Sequence, residues 1–389
     1  MTRRKQLIQV MNREWKRLFS NKIYLICMLG APLFCFLFFI SLMWNGLPAD
    51  MPIALVDLDN SADSRNLGRQ LDAFGQTKIV MHCASFTEAR EHMQEGNIYG
   101  IMLIPEHFAS DASSGKQPHL SFYTNNSYLI AGSLLFKDMK TISTLASGSV
   151  GRSIGRAKGF TDDQIMSQLQ PIVIDSHPLG NPWLNYSVYL NNMLLPGILQ
   201  LMVFLVTVFS IGVEIKEKTA RQWLALGKNS LSLSLLGKLL PQTIVFFIVG
   251  TGLVALLYGF MQFPIGSGIF SMLVALLLFI LSAQALGILM IGVLPTLRLG
   301  LSFASLFGMI SFSISGFSFP VSAMYPWLQA LSNLFPLRHY YLIYVDQALN
   351  GRPLFYSCEH YIALSLFLLL PFLVLRNLKK ALLYFEYQP

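Results

Sequence analysis

Charged residues are scarce in this 389-residue chain, at 12%, while hydrophobic residues reach 53% and phenylalanine alone occurs 29 times. A soluble domain carries about a quarter charged residues. The shortfall lies in the apolar runs of the second half, where a water-soluble fold would leave a very large exposed apolar patch. The formal net charge is +8. The basic residues gather at the ends of apolar runs, where they anchor helices and set orientation, so nucleic acid is not an expected partner. A phosphate-binding loop is missing too. Gly227-Lys228 and Gly237-Lys238 are followed by Asn229 and Leu239, and both lack the upstream glycine that such a loop needs. The chain is therefore not expected to be an enzyme or to bind ATP in that way. No H-E-x-x-H and no paired Cys/His spacing occurs. His82, His92, His107 and His119 are scattered and read as surface histidines. Asp57 and Asp59 close a strand and read as turn or cap residues. No metal, cofactor or catalytic residue is expected. Cysteine is rare: Cys27, Cys35, Cys83 and Cys358 read as free thiols packed as small apolar groups, and no bridge follows from sequence.

What is present is a pattern of apolar runs. The first covers 24–44, a polar stretch follows from about 48 to 186, and five more runs lie near 190–213, 239–260, 270–294, 299–319 and 362–375. A helix needs ~20 apolar residues to cross the hydrocarbon core. The expected fold is a polytopic α-helical membrane protein with six transmembrane helices and an α/β extracytoplasmic domain inserted after the first. Its expected parts are an amphipathic cytoplasmic helix at 1–22, a first span at 23–46, the outer domain at 47–187 and the remaining spans at 188–389. Lys and Arg alternate between connections. They are dense before the first span, after the second (Lys216, Lys218, Arg221, Lys228, Lys238) and after the last (Arg376, Lys379, Lys380), and absent near 262–267. Both termini are therefore expected in the cytoplasm and 47–187 outside. The first run is too long for a signal peptide and lacks a cleavage site, so it reads as an uncleaved anchor. Pro32 is expected to kink it.

The N-terminal segment is amphipathic, with Leu7, Ile8, Met11, Trp15, Leu18 and Phe19 on one face, and is expected to lie in the membrane interface. The polar stretch alternates strand and helix signals. Strands are expected at 52–58, 78–81, 99–104, 119–123 and 172–174, and helices at 62–74, 86–94 and from 129 toward 150, with a further helix capped by Thr161. Residues 318–359 are broken by Pro320, Pro326, Pro336 and Pro353. Residues 322–334 read as one short helix within a re-entrant or interfacial hairpin on the outer side, since irregular backbone at membrane depth needs cover. The later spans offer only Gln200, Gln242, Gln284 and hydroxyls, while Glu214 and Arg298 sit at span ends. That disfavours an ion-coupled carrier. Energy for transport then falls to a partner that hydrolyses nucleotide. The loop Glu214, Lys216, Glu217, Lys218, Thr219, Arg221, Trp223 mixes charge signs with an aromatic residue. It suits docking onto a soluble protein, or simple snorkelling at the membrane edge.

Here the sequence resembles the ABC export permeases of the second type. Glu214, Glu217, Lys218 and Thr219 match the family's Glu-x-Glu/Lys-x-Gly-Thr pattern, with Lys218 where the family often has Gly and Ala220 after the threonine. Arg13-Glu14-Trp15-Lys16-Arg17 and Pro32 are similar to its elbow helix and first span. Asp57–Ser61 and Gly100–Phe108 resemble the subgroup with a large domain after the first span. The run from Gly316 through Pro320, Met324, Pro326 and Trp327 to Pro336 resembles its outer re-entrant segment. The resemblance implies an exporter subunit in the bacterial inner membrane, with a coupling segment at 214–230 and an outer gate at 316–337. It also implies a cytoplasmic ATPase that carries the ATP, a second permease subunit of the same or a related chain, and often a periplasmic adaptor protein. A drug or lipid cargo suits the apolar spans, and membrane lipid surrounds them. The competing expectation is a non-transporting receptor or scaffold that uses its outer domain to bind an envelope partner.

Overall fold

The computed structural model describes residues 3–177, 180–182 and 184–384. The chain forms two compact units, one of Met1–Trp44 with Pro178–Pro389 and one of Asn45–His177.

Among the described residues, six helices are long and apolar enough to cross a membrane: Lys22–Leu42, Tyr186–Lys216, Leu231–Phe260, Ile269–Val293, Leu297–Ile314 and Leu354–Tyr384. The protein is a multi-pass helical membrane protein. Several spans outrun their apolar cores. The second continues to Lys216 and the third begins at Leu231, so Lys238 is a helical residue and not a loop residue. The last covers 31 residues where 362–375 was expected, and carries Arg376, Lys379 and Lys380 on its helix. In the first span a π-helical stretch, Ile26–Gly30, directly precedes the helix Ala31–Leu42, which carries Pro32 in its first turn. A widened turn accommodates a ring that cannot accept the regular ladder. The second span is central. It packs on the fourth and fifth, and the fourth packs on the last.

The N-terminal helix, Arg3–Ser20, buries Gln6, Val10, Glu14 and Leu18, spaced four apart. Of the expected apolar face only Leu18 belongs to this stripe, and Ile8 and Phe19 stay exposed. The stripe turned inward includes an acid because the bundle offers it partners. Beyond the fifth span, the expected helix over 322–334 is split. A 3-10 turn at Val321–Ala323 precedes the helix Pro326–Ser332, which begins at the proline because that residue suits a first turn only. A second helix, Pro336–Ile343, was not expected. It buries Leu337, Tyr340 and Ile343, and Tyr340 stacks on Phe279 of the fourth span at 4.7 Å.

In the second unit, strands β1 (Met51–Asp57), β2 (Thr77–His82), β3 (Gly100–Ile104) and β4 (Ser121–Thr124) form one sheet in the order β2-β1-β3-β4. β1 runs parallel to β2 and β3, and β4 is antiparallel to β3. Alternate residues of β1 feed two cores. Ile53 and Leu55 meet Leu67 and Leu71 of helix Ala62–Asp72 and Leu135, Met139 and Ile142 of the long helix Leu129–Ala157. Ala54 and Val56 meet Ala89 of helix Phe86–Gln94 on the opposite face. Both faces are covered, so β1 reads as a continuous apolar run. A short helix at Phe108–Ser113 was not expected. The expected strand at 172–174 does not form, and Ile172, Val173 and Ile174 are exposed. β-branched residues favour a strand only where a neighbour supplies the ladder.

Candidate functional site

The second span ends in a carboxylate that the fold encloses. Glu214 is fully buried and is gripped from three directions. Arg13 donates from Nη1 and Nη2 at 2.7 and 3.0 Å, and Arg17 from Nη1 at 2.5 Å, both from the N-terminal helix. Lys238 Nζ donates at 2.9 Å from the third span, and the Thr219 hydroxyl at 2.5 Å from the loop. Lys238, itself fully buried, also donates to Glu14 Oε2 at 2.9 Å, and Gln242 Nε2 donates to Glu14 Oε1 at 3.1 Å. Arg17 Nη2 continues to Glu217 at 2.8 Å. The cluster holds three cations (Arg13, Arg17, Lys238) and three anions (Glu14, Glu214, Glu217), so its formal charge cancels. Buried charges persist in this form, paired and hydrogen-bonded on most sides. Burial works against the charge on Arg13, yet the hydrogen bond and attraction of Glu214 outweigh it and hold the guanidinium above its ordinary value.

The loop that follows is built on this anchor. The helix breaks because Lys218 adopts φ +58, a left-handed conformation that glycine takes without cost. A short helix, Ala220–Leu226, then turns Trp223 and Leu224 fully inward. Lys238 Nζ stands 4.9 Å from the Trp223 ring, a cation–π contact that ties the loop to the buried network. Arg221 Nη2 donates to the Leu383 carbonyl at 3.4 Å, and Lys379 Nζ to the Asn229 carbonyl at 2.8 Å, fastening the same loop to the end of the last helix. The seven candidate coupling residues divide in two. Glu214, Thr219 and Trp223 face inward, whereas Lys216, Glu217, Lys218 and Arg221 are exposed.

The candidate gate residues lie at the far end of the fifth span. Gly316 has φ +97, and a Cβ there would stand 2.7 Å from Val321 Cγ2, so only glycine fits this corner. Tyr189 of the second span donates its hydroxyl to the Phe317 carbonyl at 2.6 Å. Gln329 Nε2 donates to the Met324 carbonyl at 2.9 Å, tying the helix Pro326–Ser332 to the chain just before it. Pro320, Pro326 and Trp327 are exposed, Met324 is half-buried and Pro336 is buried at the start of its helix. Phe335, beside Pro336, stacks on Phe307 of the fifth span at 4.5 Å.

A family model described as "ABC-2 family transporter protein" matches residues 22–375. The chain belongs to that family. No curated protein matches it. As an ABC-2 permease it is the membrane subunit of a transporter whose ATPase is a partner subunit. In this permease the residues that organise the candidate site are largely ones that spacing alone did not pick out: Glu14, Arg13, Arg17, Lys238 and Gln242. A usable signal did exist. Lys238 stands alone in an apolar helix, and Glu14 lies on the stripe that the N-terminal helix buries. An isolated charge in such a setting calls for a counter-ion.

Proposed function

We propose that this ABC-2 permease is an exporter subunit that moves a hydrophobic or amphipathic substrate, such as a drug or lipid, out of the inner membrane or cytoplasm of a bacterium. Both termini and the loop after the second span face the cytoplasm, and unit Asn45–His177 lies outside, in the subgroup with a large outer domain. The distribution of Lys and Arg among the connections supports that orientation. The ATPase meets the exposed side chains Lys216, Glu217, Lys218 and Arg221 around the helix Ala220–Leu226. Glu214, Thr219 and Trp223 lie behind that surface and pass its movement to the N-terminal helix and third span. Residues 316–337, with Gly316, Pro320, Met324, Pro326, Trp327 and Pro336, shape the outer gate. A second copy or a related permease completes the pathway, and a periplasmic adaptor protein meets the outer unit.

The observation that carries this reading is the union, in one charge-balanced network, of the exposed loop with three separate helices. A load applied at the loop reaches the bundle through ion pairs and not through flexible chain. Reversing Lys216 and Lys218 to Glu should abolish copurification with the cognate ATPase while the permease remains folded. Unchanged copurification would remove the docking assignment. Substrate-stimulated ATP hydrolysis after reconstitution with that ATPase tests the export reading.

A further inference from the structure

The carboxyl ends of β1 and β2 frame a cleft of about 640 Å³ within the unit Asn45–His177. The chain leaving β1 enters helix Ala62–Asp72, which packs on one face of the sheet through Leu67 and Leu71. The chain leaving β2 enters helix Phe86–Gln94, whose Ala89 packs on the other face. The cleft runs between helix Ala62–Asp72, which contributes Arg65, Gly68, Arg69 and Asp72, and the edge strand β2, which contributes Ile79 and His82. The inner wall is apolar, made of Leu55, Ile79 and Cys83. Gly68 lets the helix lie close to it, since a Cβ there would stand 2.8 Å from Leu55 Cδ2.

The rim carries three basic side chains. Arg65 and Arg69, one turn apart on the helix, and His82, the last residue of β2, line the cleft and are exposed. Among the described residues, the side chains of Arg69 and His82 have no hydrogen-bond or ion-pair partner, and Arg65 reaches only the Asn60 carbonyl. The two carboxylates of the cleft are engaged elsewhere. Asp57 accepts from the amides of Asp59 and Asn60 at 3.1 and 3.0 Å and from the Ser64 hydroxyl at 2.7 Å. Asp72 accepts from the Ile79 amide at 2.8 Å and from Lys78 Nζ at 3.4 Å. Asp57 and Asp72 balance the two arginines in formal charge, but neither guanidinium fork is paired with a carboxylate, and both stand over an apolar wall in a volume suited to a small ligand.

We propose that this cleft binds an anionic ligand, a phosphate or carboxylate group on a small and partly apolar body, held by Arg65 and Arg69. Such a group is offered either by a free soluble anion or by the headgroup of an anionic lipid. Amide hydrogen exchange on the full-length protein in uncharged detergent separates these sources. The probes are inorganic phosphate, dihexanoyl phosphatidic acid, and dihexanoyl phosphatidylcholine as zwitterionic control, at matched ionic strength. At about ten times the dissociation constant, a bound ligand slows exchange through local opening about tenfold. The expected result is such slowing at 57–69 and 79–84. Slowing by phosphate and phosphatidic acid alike identifies the anion as sufficient; slowing by phosphatidic acid alone identifies a ligand that also needs the apolar wall. In both cases the effect disappears in the double variant Arg65→Gln/Arg69→Gln. Exchange from β1 and β3 without ligand should match the parent in that variant, showing that the unit is folded. The proposal is overturned by an absence of slowing with both anionic probes, by equal slowing with phosphatidylcholine, or by protection that persists in the folded double variant.

Discussion

Two carboxylates in this protein each collect arginines, and their surroundings give them different tasks. Asp162, in the unit Asn45–His177, accepts from Arg152 Nη2 at 2.9 Å and from Arg156 Nη2 at 3.1 Å, with all three side chains about half exposed. The hydrogen bonds from Arg152 and then Arg156 hold its carboxyl well below the usual range. Glu214, in the membrane unit, is fully enclosed and adds a lysine and a threonine to its two arginines. Water and salt screen the first cluster, so its ion pairs add little to the stability of the fold. In the second, Glu14, Glu214 and Lys238 are closed off from water, and there a missing partner strands a charge. Similar residue types make a surface ornament in one unit and a structural joint in the other.

Substitutions across this range of burial test the contrast. The largest effect is expected for Lys238→Met, which strips the cation shared by Glu14 and Glu214. A loss of about 3–5 kcal/mol is expected for breaking a buried pair. Thermal unfolding in detergent should show the membrane unit melting earlier while the transition of the unit Asn45–His177 is unmoved. A parent-like melt would mean that water reaches the cluster. Thr219→Val removes one donor to a buried carboxylate and should cost about 1.5–3 kcal/mol in the same measurement.

Asp138 sharpens the comparison from the other unit. It is a buried acid with a single hydrogen-bonding partner among the described residues, the Thr77 hydroxyl at 2.8 Å. Burial raises its pKa above the ordinary 3.8 and Thr77 only partly opposes this. A raised carboxyl favours the protonated native state. Its contribution is therefore fully present below the unfolded pKa and is lost as pH rises through the folded one. Asp138→Asn should raise the melting midpoint of its unit at neutral pH, with the gain vanishing in acid below 3.8. A gain independent of pH would show that ionisation is not its cause. The smallest effect is expected for Asp162→Asn, which should leave the midpoint almost unchanged at physiological salt and lower it slightly only at low ionic strength.

The parts of the molecule that follow from local pattern were readable in advance. Helix Phe86–Gln94 appears where a serine cap and a terminal glycine bracket it, with Ser85 accepting from the Glu88 amide at 3.3 Å. The apolar cores of the six spans were visible for the same reason. Their ends were not, because a helix can run on through Glu214 or Lys238 once a distant partner neutralises the charge, and Arg13 lies 201 residues from Glu214. Helix Pro336–Ile343 was hidden by its tyrosines, histidine and arginine, which read as loop until Phe279 and the bundle cover them. At the candidate site the exposed charges of the loop were legible, and the buried half of the network was not, since it joins residues from three helices. Lys218 is instructive: the resemblance marked its position as one where glycine is usual, and the left-handed φ supplies the physical reason.

The equal number of positive and negative groups in the Glu214 cluster also bears on membrane voltage. Displacing one elementary charge through the whole field costs about 2.3 kcal/mol per 100 mV. A cluster whose three cations and three anions move together feels almost no net pull from that field. Under the proposed coupling role, a shift of this cluster would cost nearly the same energy in a polarised cell and in a depolarised one.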